Sequence, residues 1–297
     1  MKSLLANMKF RTKMNLAAFL LLVPLAFLSV QFYLKSSEDV HTARMEKNGV
    51  RYLVPVQAAI YHLQRRRGYV ATHGRAGSDN TANIRAESEA VRKAVAEFDA
   101  IHGELRDPLG IEGEWTDMKA KLTHLADLSL AGNREEQIEL HTNTVRALLA
   151  FEAVIAERST LDLDPEARTY YLMELSTRIA GPLSETLGQV RYRGSVMLQG
   201  GARTVENLAA LEAQHGIIQY WTAQVGQIRW QVAKHLPEKK HELERLFEAQ
   251  DKAAERFEDI HGKLISSRIA GAAAVQQYFT TTTEYIDALA QLVLKSN

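Results

Sequence analysis

Apolar residues recur with helical spacing along almost the whole chain after residue 38. The sequence Leu53, Val56, Ile60, Leu63 alternates steps of three and four. Residues at seven-residue intervals follow at Leu211, Ile218, Val225 and Val232, and a similar stripe contains Val275, Phe279, Thr282, Ile286, Leu289 and Val293. No stretch keeps up the strict alternation that is typical of strands. The pattern predicts an all-α fold of about eight helical segments whose apolar seams pack at shallow angles in bundles.

Near the N-terminus one apolar segment is continuous rather than periodic. Residues 15–34 read NLAAFLLLVPLAFLSVQFYL, without a charged side chain. At about 1.5 Å per residue this segment spans roughly 30 Å, the thickness of the hydrocarbon core of a bilayer. Pro24 is tolerated because neighbouring groups can satisfy the freed backbone carbonyl. The segment predicts a transmembrane anchor helix.

The charges beside this segment predict its orientation. Four basic residues and no acid precede it, namely Lys2, Lys9, Arg11 and Lys13, whereas Glu38 and Asp39 follow it. The positive-inside rule therefore places residues 1–14 in the cytoplasm and the bulk of the chain outside, as a single-pass protein of the cytoplasmic membrane. A cleaved signal peptide is the alternative. We expect an anchor, because the apolar run exceeds the usual ~7–15 residues and ends in bulky side chains.

Breaks between the helical segments are few. Loop-like sequences are HGRAGSDN (73–80), RDPLGIEG (106–113), LAGN (130–133) and QGGA (199–202). Asp164 and Pro165 predict a helix start, with Asp164 as the N-cap and Pro165 in the first helical position.

A weak internal repeat suggests how these segments are organised. Arg67 follows Pro55 by 12 residues, and Arg193 follows Pro182 by 11, each within a similar Arg-Gly context. Either the chain contains two related modules, or two amphipathic helices resemble each other by chance. We expect two modules like four-helix bundles, at 36–160 and 161–297.

Composition excludes several classes of function. The 36 basic and 36 acidic residues balance, so there is no electrostatic case for a nucleic-acid partner. The absence of cysteine excludes disulfides and thiolate metal sites. The histidines show no recognised ligand spacing, and no phosphate-binding loop or nucleophile elbow is present. We therefore expect no metal, no cofactor and no catalytic activity.

Arg67 is the most informative candidate residue. Continuing the seam of Leu53 and Leu63 by one helical step places it among apolar neighbours. A guanidinium there needs a carboxylate, backbone carbonyls or an anionic ligand, unless its long stem carries it to the surface. The carboxylates of Asp162, Asp164 and Glu166 are possible partners.

The remaining candidate ligand residues are Arg193, Gln64 and Tyr171. Arg193 occupies the corresponding Arg-Gly position of the second repeat, and Tyr171 lies near a helix start, where it either closes a pocket or simply packs. Arg65 and Arg66 are expected to be solvated. Arginine favours an anionic ligand such as an organic acid or an inorganic oxyanion.

Two stretches resemble the sensory regions of bacterial methyl-accepting chemotaxis proteins and of related sensor kinases and diguanylate cyclases. LQRRRGYVATHG (63–74) resembles their Gln-x-x-Arg-Gly segment, and LDLDPEARTYYLMEL (161–175) resembles their Leu-Asp-Pro-Asp-x-x-Ser-Tyr-Tyr-Leu-Met helix. Glu166 and Thr169 stand where Asp and Ser are usual. The resemblance implies a periplasmic bundle that forms a homodimer, binds a small molecule or a binding protein, and signals through a small helix displacement.

Receptors of that kind also need a second transmembrane helix and an output domain. The sequence stops at DALAQLVLKSN without either. We therefore expect the ligand-sensing region of such a receptor, as a fragment or a truncated product. The alternative is a stand-alone, membrane-anchored adaptor or structural protein that senses nothing.

Overall fold

The computed structural model describes residues 9–74, 79–130, 132–163, 167–201 and 203–296. Within these ranges the chain forms helices and no strands, which confirms the predicted all-α class. The helices are α1 (Phe10–Thr72), α2 (Thr81–Leu105), α3 (Glu112–Asp127), α4 (Arg134–Arg158), α5 (Ala167–Glu174, continuing through a π-helical turn at Leu175–Ile179 to Ala180–Leu198), α6 (Val205–His235), α7 (Lys240–Ile265) and α8 (Ala272–Ser296).

Side-chain caps start two of these helices. Asn133 accepts hydrogen bonds from the backbone N–H groups of Glu135 and Glu136 at the start of α4, and Thr204 accepts one from Asn207 in α6. Such caps satisfy amide groups that have no partner within the helix. The predicted cap at Asp164 and Pro165 lies outside the described residues.

The predicted seams form the core. Leu53, Val56, Ile60 and Leu63 are buried, and so are the four residues of the heptad stripe in α6. In α8 the buried part of the predicted stripe runs from Thr282 to Val293. A stack of rings fills the space between α2, α3 and α4, where the centroids of Phe98 and Trp115 are 3.7 Å apart.

Contacts divide the chain into two units, Met1–Met45 and Glu46–Asn297. In the first unit, the described apolar side chains between Phe10 and Leu34 are exposed. Among the described helices, α1 alone has an uncharged apolar stretch long enough to cross a membrane. An exposed stretch of this length suits lipid as its surroundings, whereas a soluble core helix would be buried.

The second unit holds all the remaining helices. Polar contacts join α1 to α5 and α8 across the predicted module boundary at 160/161. Gln57 donates to Ser176 Oγ at 3.1 Å, and Tyr61 donates to Asp287 at 2.7 Å. The division into modules at 36–160 and 161–297 stays a prediction.

Candidate functional site

Three consecutive arginines of α1, Arg65 to Arg67, point to three different neighbours. Arg67 is fully buried, as the seam predicts. Its two terminal nitrogens donate to the carboxylate of Glu185 on α5 at 2.6 and 2.9 Å, and Nη1 also donates to Thr142 at 2.9 Å. The carboxylate partner is therefore Glu185, which is none of the acids that the sequence analysis suggested.

Arg66 is buried as well, with 1% of its surface exposed, so the expectation that it is solvated is wrong. Its guanidinium donates to Ser88 Oγ at 2.9 Å, to His141 Nε2 at 2.7 Å and to the Leu128 carbonyl at 3.0 Å. None of these partners carries a negative charge. Burial, with the nearby charge of Arg92, lowers the pKa of Arg66 to about 10.

Arg65 is partly buried rather than free in solvent. Its Nε donates to Glu87 at 2.7 Å, and Nη1 lies 3.7 Å from Asp287. The expectation for Arg65 is therefore wrong too, because α1 has neighbouring helices on both flanks of its seam.

Arg191 on α5 is a fully buried cation that the sequence analysis did not identify. Nη2 donates to the Gln64 carbonyl at 2.9 Å, Nη1 donates to Thr283 at 2.8 Å, and the guanidinium lies 4.8 Å from the ring centroid of Phe279. Its Nε has no partner. Burial, followed by the charge of Arg67, lowers the pKa of Arg191 to about 10.

Two glycines allow these arginines to lie between helices. A Cβ atom at Gly188 would lie 2.8 Å from Nη2 of Arg67, and one at Gly68 would lie 3.3 Å from Nη2 of Arg191. Both contacts are closer than side chains normally tolerate. The absence of Cβ atoms therefore makes room for each guanidinium against the opposite helix.

Gln64, a predicted ligand residue, belongs to the same cluster. Its Nε2 donates to Ser184 Oγ and to Glu185 Oε2, both at 3.2 Å, and its buried Oε1 has no partner. Gln64 therefore contacts Arg191 through its backbone and Glu185 through its side chain.

The other two predicted residues lie elsewhere. Arg193 is exposed and lines a separate cavity with other residues of α5, Gly201 and Asn207. Tyr171 stacks on His235 with ring centroids 5.6 Å apart and meets Tyr170 edge-on. The helical seam of α5 predicts the buried arginine, since Leu187 plus four is Arg191. The ligand role of Arg193 and Tyr171 stays a prediction.

The charges of this buried cluster do not balance. Arg66, Arg67 and Arg191 are buried cations, and Glu185 is the carboxylate that pairs with one of them. In the part of the chain that the structure describes, Arg66 and Arg191 have only uncharged hydrogen-bond partners. A buried cation without a counter-charge is costly, so the cluster is suited to an added anion.

A polar cavity of about 300 Å³ lies beside Arg191 and shares Thr283 and Phe279 with it. Its lining also includes Tyr69, Thr72, Asn80, Asn83, Gln199 and Gln276. Two carboxylates at the wall already have donors: Glu284 pairs with Arg256 at 3.2 Å, and Asp287 accepts from Tyr61. The buried cation therefore contacts two residues of the cavity wall.

One group of potential metal ligands occurs away from this cluster. Ligand atoms of His102, Asp107 and Glu112 lie within 4.8 Å of one another. Each already has a protein partner, because His102 Nε2 meets Glu112 at 2.6 Å and Asp107 accepts from the backbone of Ile111. The expected absence of a metal stays a prediction.

The sequence profile of the nitrate- and nitrite-sensing domain, NIT, matches residues 58–295. This chain belongs to the NIT family. The match begins in α1 before Arg65 and includes Arg191 and nearly all of α8. No curated protein matches the chain, and no solved structure does.

NIT domains are extracytoplasmic sensory domains of bacterial sensor kinases, chemotaxis proteins and cyclases. Membership therefore confirms the resemblance to these sensory regions. Together with the apolar segment of α1, it identifies the chain as the sensory region of a membrane-bound signalling protein.

Proposed function

We propose that this NIT domain senses nitrate or nitrite, and that Arg191 and Arg67 hold the anion. The observation that supports the proposal is the burial of Arg191 without a carboxylate partner, beside a polar cavity. The family is described by the sensing of these two anions, which agrees with the cationic character of the cluster.

The shape and charge of nitrate and nitrite match those of a guanidinium group. Nitrate and nitrite present coplanar oxygens, and a guanidinium presents coplanar N–H groups that bind such oxygens two at a time. Nε of Arg191 has no protein partner, and Nη1 bonds only to a neutral hydroxyl. An anion beside Nε would receive a charge-assisted hydrogen bond and would reduce the excess positive charge.

The proposed mechanism is a shift between two packings of α1 against α5. Arg67 and Glu185 tie these helices together in the structure. An anion that competes with Glu185 for Arg67 weakens this ion pair. The packing with the weaker ion pair then gains population to the extent that it binds the anion more tightly than the other packing does. The proposed role is binding and signalling without catalysis.

The wider setting is also part of the proposal. A homodimer, anchored once in the cytoplasmic membrane with its bulk in the periplasm, would pass the change in α1 to a chemoreceptor-type pathway. Basic residues before the apolar segment and acidic residues after it support this orientation.

Thermal unfolding of the full chain in lipid nanodiscs tests the proposal. Sodium nitrate and sodium nitrite should raise the midpoint dose-dependently, and sodium chloride at equal ionic strength should not. Arg191→Met should abolish the nitrate response, because it keeps the buried stem and removes the charge. Arg193→Met, an exposed change on the same helix, is the matched control and should respond like wild type.

Two results would contradict the proposal. One is an equal response to chloride and nitrate, which indicates general salt stabilisation. The other is an unchanged nitrate response in the Arg191→Met protein.

A further inference from the structure

A third cavity, of about 370 Å³, lies between α1, α5 and α8. Its volume is in the range of small-molecule pockets. One side is apolar and is formed by Val54, Ile60, Ile286, Leu289, Val293 and Leu294. The chemistry of the opposite side differs from that of the arginine cluster.

Glu152 of α4 forms the polar end of this cavity, with 1% of its surface exposed. Its Oε1 accepts a hydrogen bond from Gln57 Nε2 at 2.7 Å, and the same amide reaches Ser176 Oγ at 3.1 Å. In the described part of the chain, no lysine or arginine lines the cavity. The carboxyl group of Glu152 therefore faces the cavity without a cationic partner there.

Gln64 adds a second acceptor to the lining. Its Oε1 is buried and unpartnered, while its Nε2 is used by Ser184 and Glu185. Ser184 donates its own proton to the Gly181 carbonyl at 2.9 Å. Once Glu152 is ionised, the groups left to bind a ligand are therefore mainly acceptors, and they call for a donor.

The backbone of α5 is specialised where it meets Glu152. The π-helical turn Leu175–Ile179 carries Ser176 into the lining, and such turns are frequent at functional sites. Immediately after it, Gly181 allows α4 to approach closely. A Cβ atom there would overlap Leu149 and lie 3.5 Å from Glu152 Oε2.

We propose that this cavity is a second ligand site that binds a small organic ammonium ion. The nitrogen would donate to Glu152 and to Oε1 of Gln64, and a short aliphatic chain would lie along the apolar side formed by α1 and α8. The site shares Gln64 with the arginine cluster, but its ligand carries the opposite charge and its test does not depend on nitrate sensing.

Binding of a cation changes the protonation of Glu152. Burial raises the pKa of its carboxyl group to about 8, so the empty site holds the neutral acid at pH 7. An ammonium ion favours the carboxylate, and the proton leaves to solvent. The other titratable groups of the lining are Tyr61 and Asp287, which bond to each other, and His62, which bonds to Glu87.

Isothermal titration of the full chain in nanodiscs with butylammonium chloride tests the site, with empty nanodiscs as the blank. We expect one saturable site per chain. Titration at pH 7 in two buffers of different ionisation enthalpy should show release of about one proton per ligand. The affinity for butylammonium should rise between pH 6.5 and 8, because Glu152 loses its proton in this range while the alkylammonium ion remains charged.

Glu152→Gln should weaken butylammonium binding at least tenfold and abolish proton release. Glu157→Gln, an exposed change on the same helix, is the matched control and should bind like wild type. Ala290→Leu fills the apolar end and should weaken butylammonium more than methylammonium. A cooperative thermal unfolding transition in each variant shows that it is folded.

The proposal is overturned if wild type shows no saturable binding of either ammonium ion. It is also overturned if the Glu152→Gln protein binds as tightly as wild type, or if binding releases no proton.

Discussion

The backbone carbonyl of Gln64 on α1 accepts a hydrogen bond of 2.9 Å from Nη2 of Arg191 on α5. The side chain of the same glutamine donates to Glu185, which binds Arg67. One residue thus contacts both the unpaired arginine and the carboxylate of the paired one. A change in the charge of this cluster will alter the contact between α1 and α5.

Removal of the carboxylate from the Arg67–Glu185 pair should be strongly destabilising. Glu185→Leu leaves Arg67 buried without a counter-charge, with an expected loss of about 3–5 kcal/mol in the free energy of unfolding. The double variant Arg67→Met/Glu185→Leu should lose much less than the two single variants together. Urea unfolding followed by circular dichroism measures this double-mutant cycle. Additive losses would contradict an energetic coupling.

Two glycine substitutions should have opposite effects. A Cβ atom at Gly194 would overlap the ring of Tyr278, which is fully buried, so Gly194→Ala should lower stability by about 1–3 kcal/mol. Gly226 in α6 has open space around it, and Gly226→Ala should raise stability by up to about 1 kcal/mol through helix propensity. Thermal midpoints of the two variants should therefore fall on opposite sides of that of wild type.

Glu152 should make the protein less stable at alkaline pH. Its pKa is raised to about 8 in the folded state, so between its unfolded pKa and pH 8 the folded chain binds a proton that the unfolded chain does not. Stability then falls with rising pH by about 1.4 kcal/mol per unit until pH 8. Glu152→Gln should remove this slope between pH 6.5 and 8. If the free energy of unfolding of the variant falls equally steeply with pH, a group other than Glu152 causes the slope.

Two buried histidines should make the folded protein less stable at acidic pH. Burial lowers the pKa of His141 to about 3 and that of His261 to about 4. Because both side chains are neutral in the folded state, their contribution to the free energy of unfolding is complete above pH 6.5. It is lost as the pH falls from there through the folded-state pKa values. Together with Glu152 they predict maximal stability near pH 6.5, which urea titrations at a series of pH values will locate.

The orientation of the apolar segment is testable because the chain has no cysteine. A single Ser36→Cys variant should react with a membrane-impermeant maleimide in intact cells, whereas Ser3→Cys should react only after lysis. The opposite pattern would reverse the proposed topology.

The sequence predicts the helices well because their seams repeat over many turns. Leu53, Ile60 and Leu63 lie in the core as expected, and the same spacing correctly buries Arg67. The neighbour of Arg67 could not be predicted, since the axial alignment of α5 against α1 decides that Glu185 faces it. The seam does not predict the burial of Arg66, because it assumes that α1 has one buried face.

Arg193 and Arg191 show a related limit. Aligning two Arg-Gly pairs treats them as equivalent, but residues two apart on a helix face in different directions. The α5 seam, from Leu183 through Leu187, leads to Arg191. Local periodicity therefore predicts which arginine of α5 is buried, and the internal repeat does not.

The contacts of His141 fix where its single ring proton resides. Nε2 lies 2.7 Å from Nη1 of Arg66, which can only donate, and Nδ1 lies 2.6 Å from the carbonyl of Gln137, which can only accept. The imidazole must therefore be the Nδ1–H tautomer, with its lone pair on Nε2. The chemical shift of Nε2 therefore reports whether Arg66 keeps its hydrogen bond to His141, because movement of Arg66 would free that lone pair.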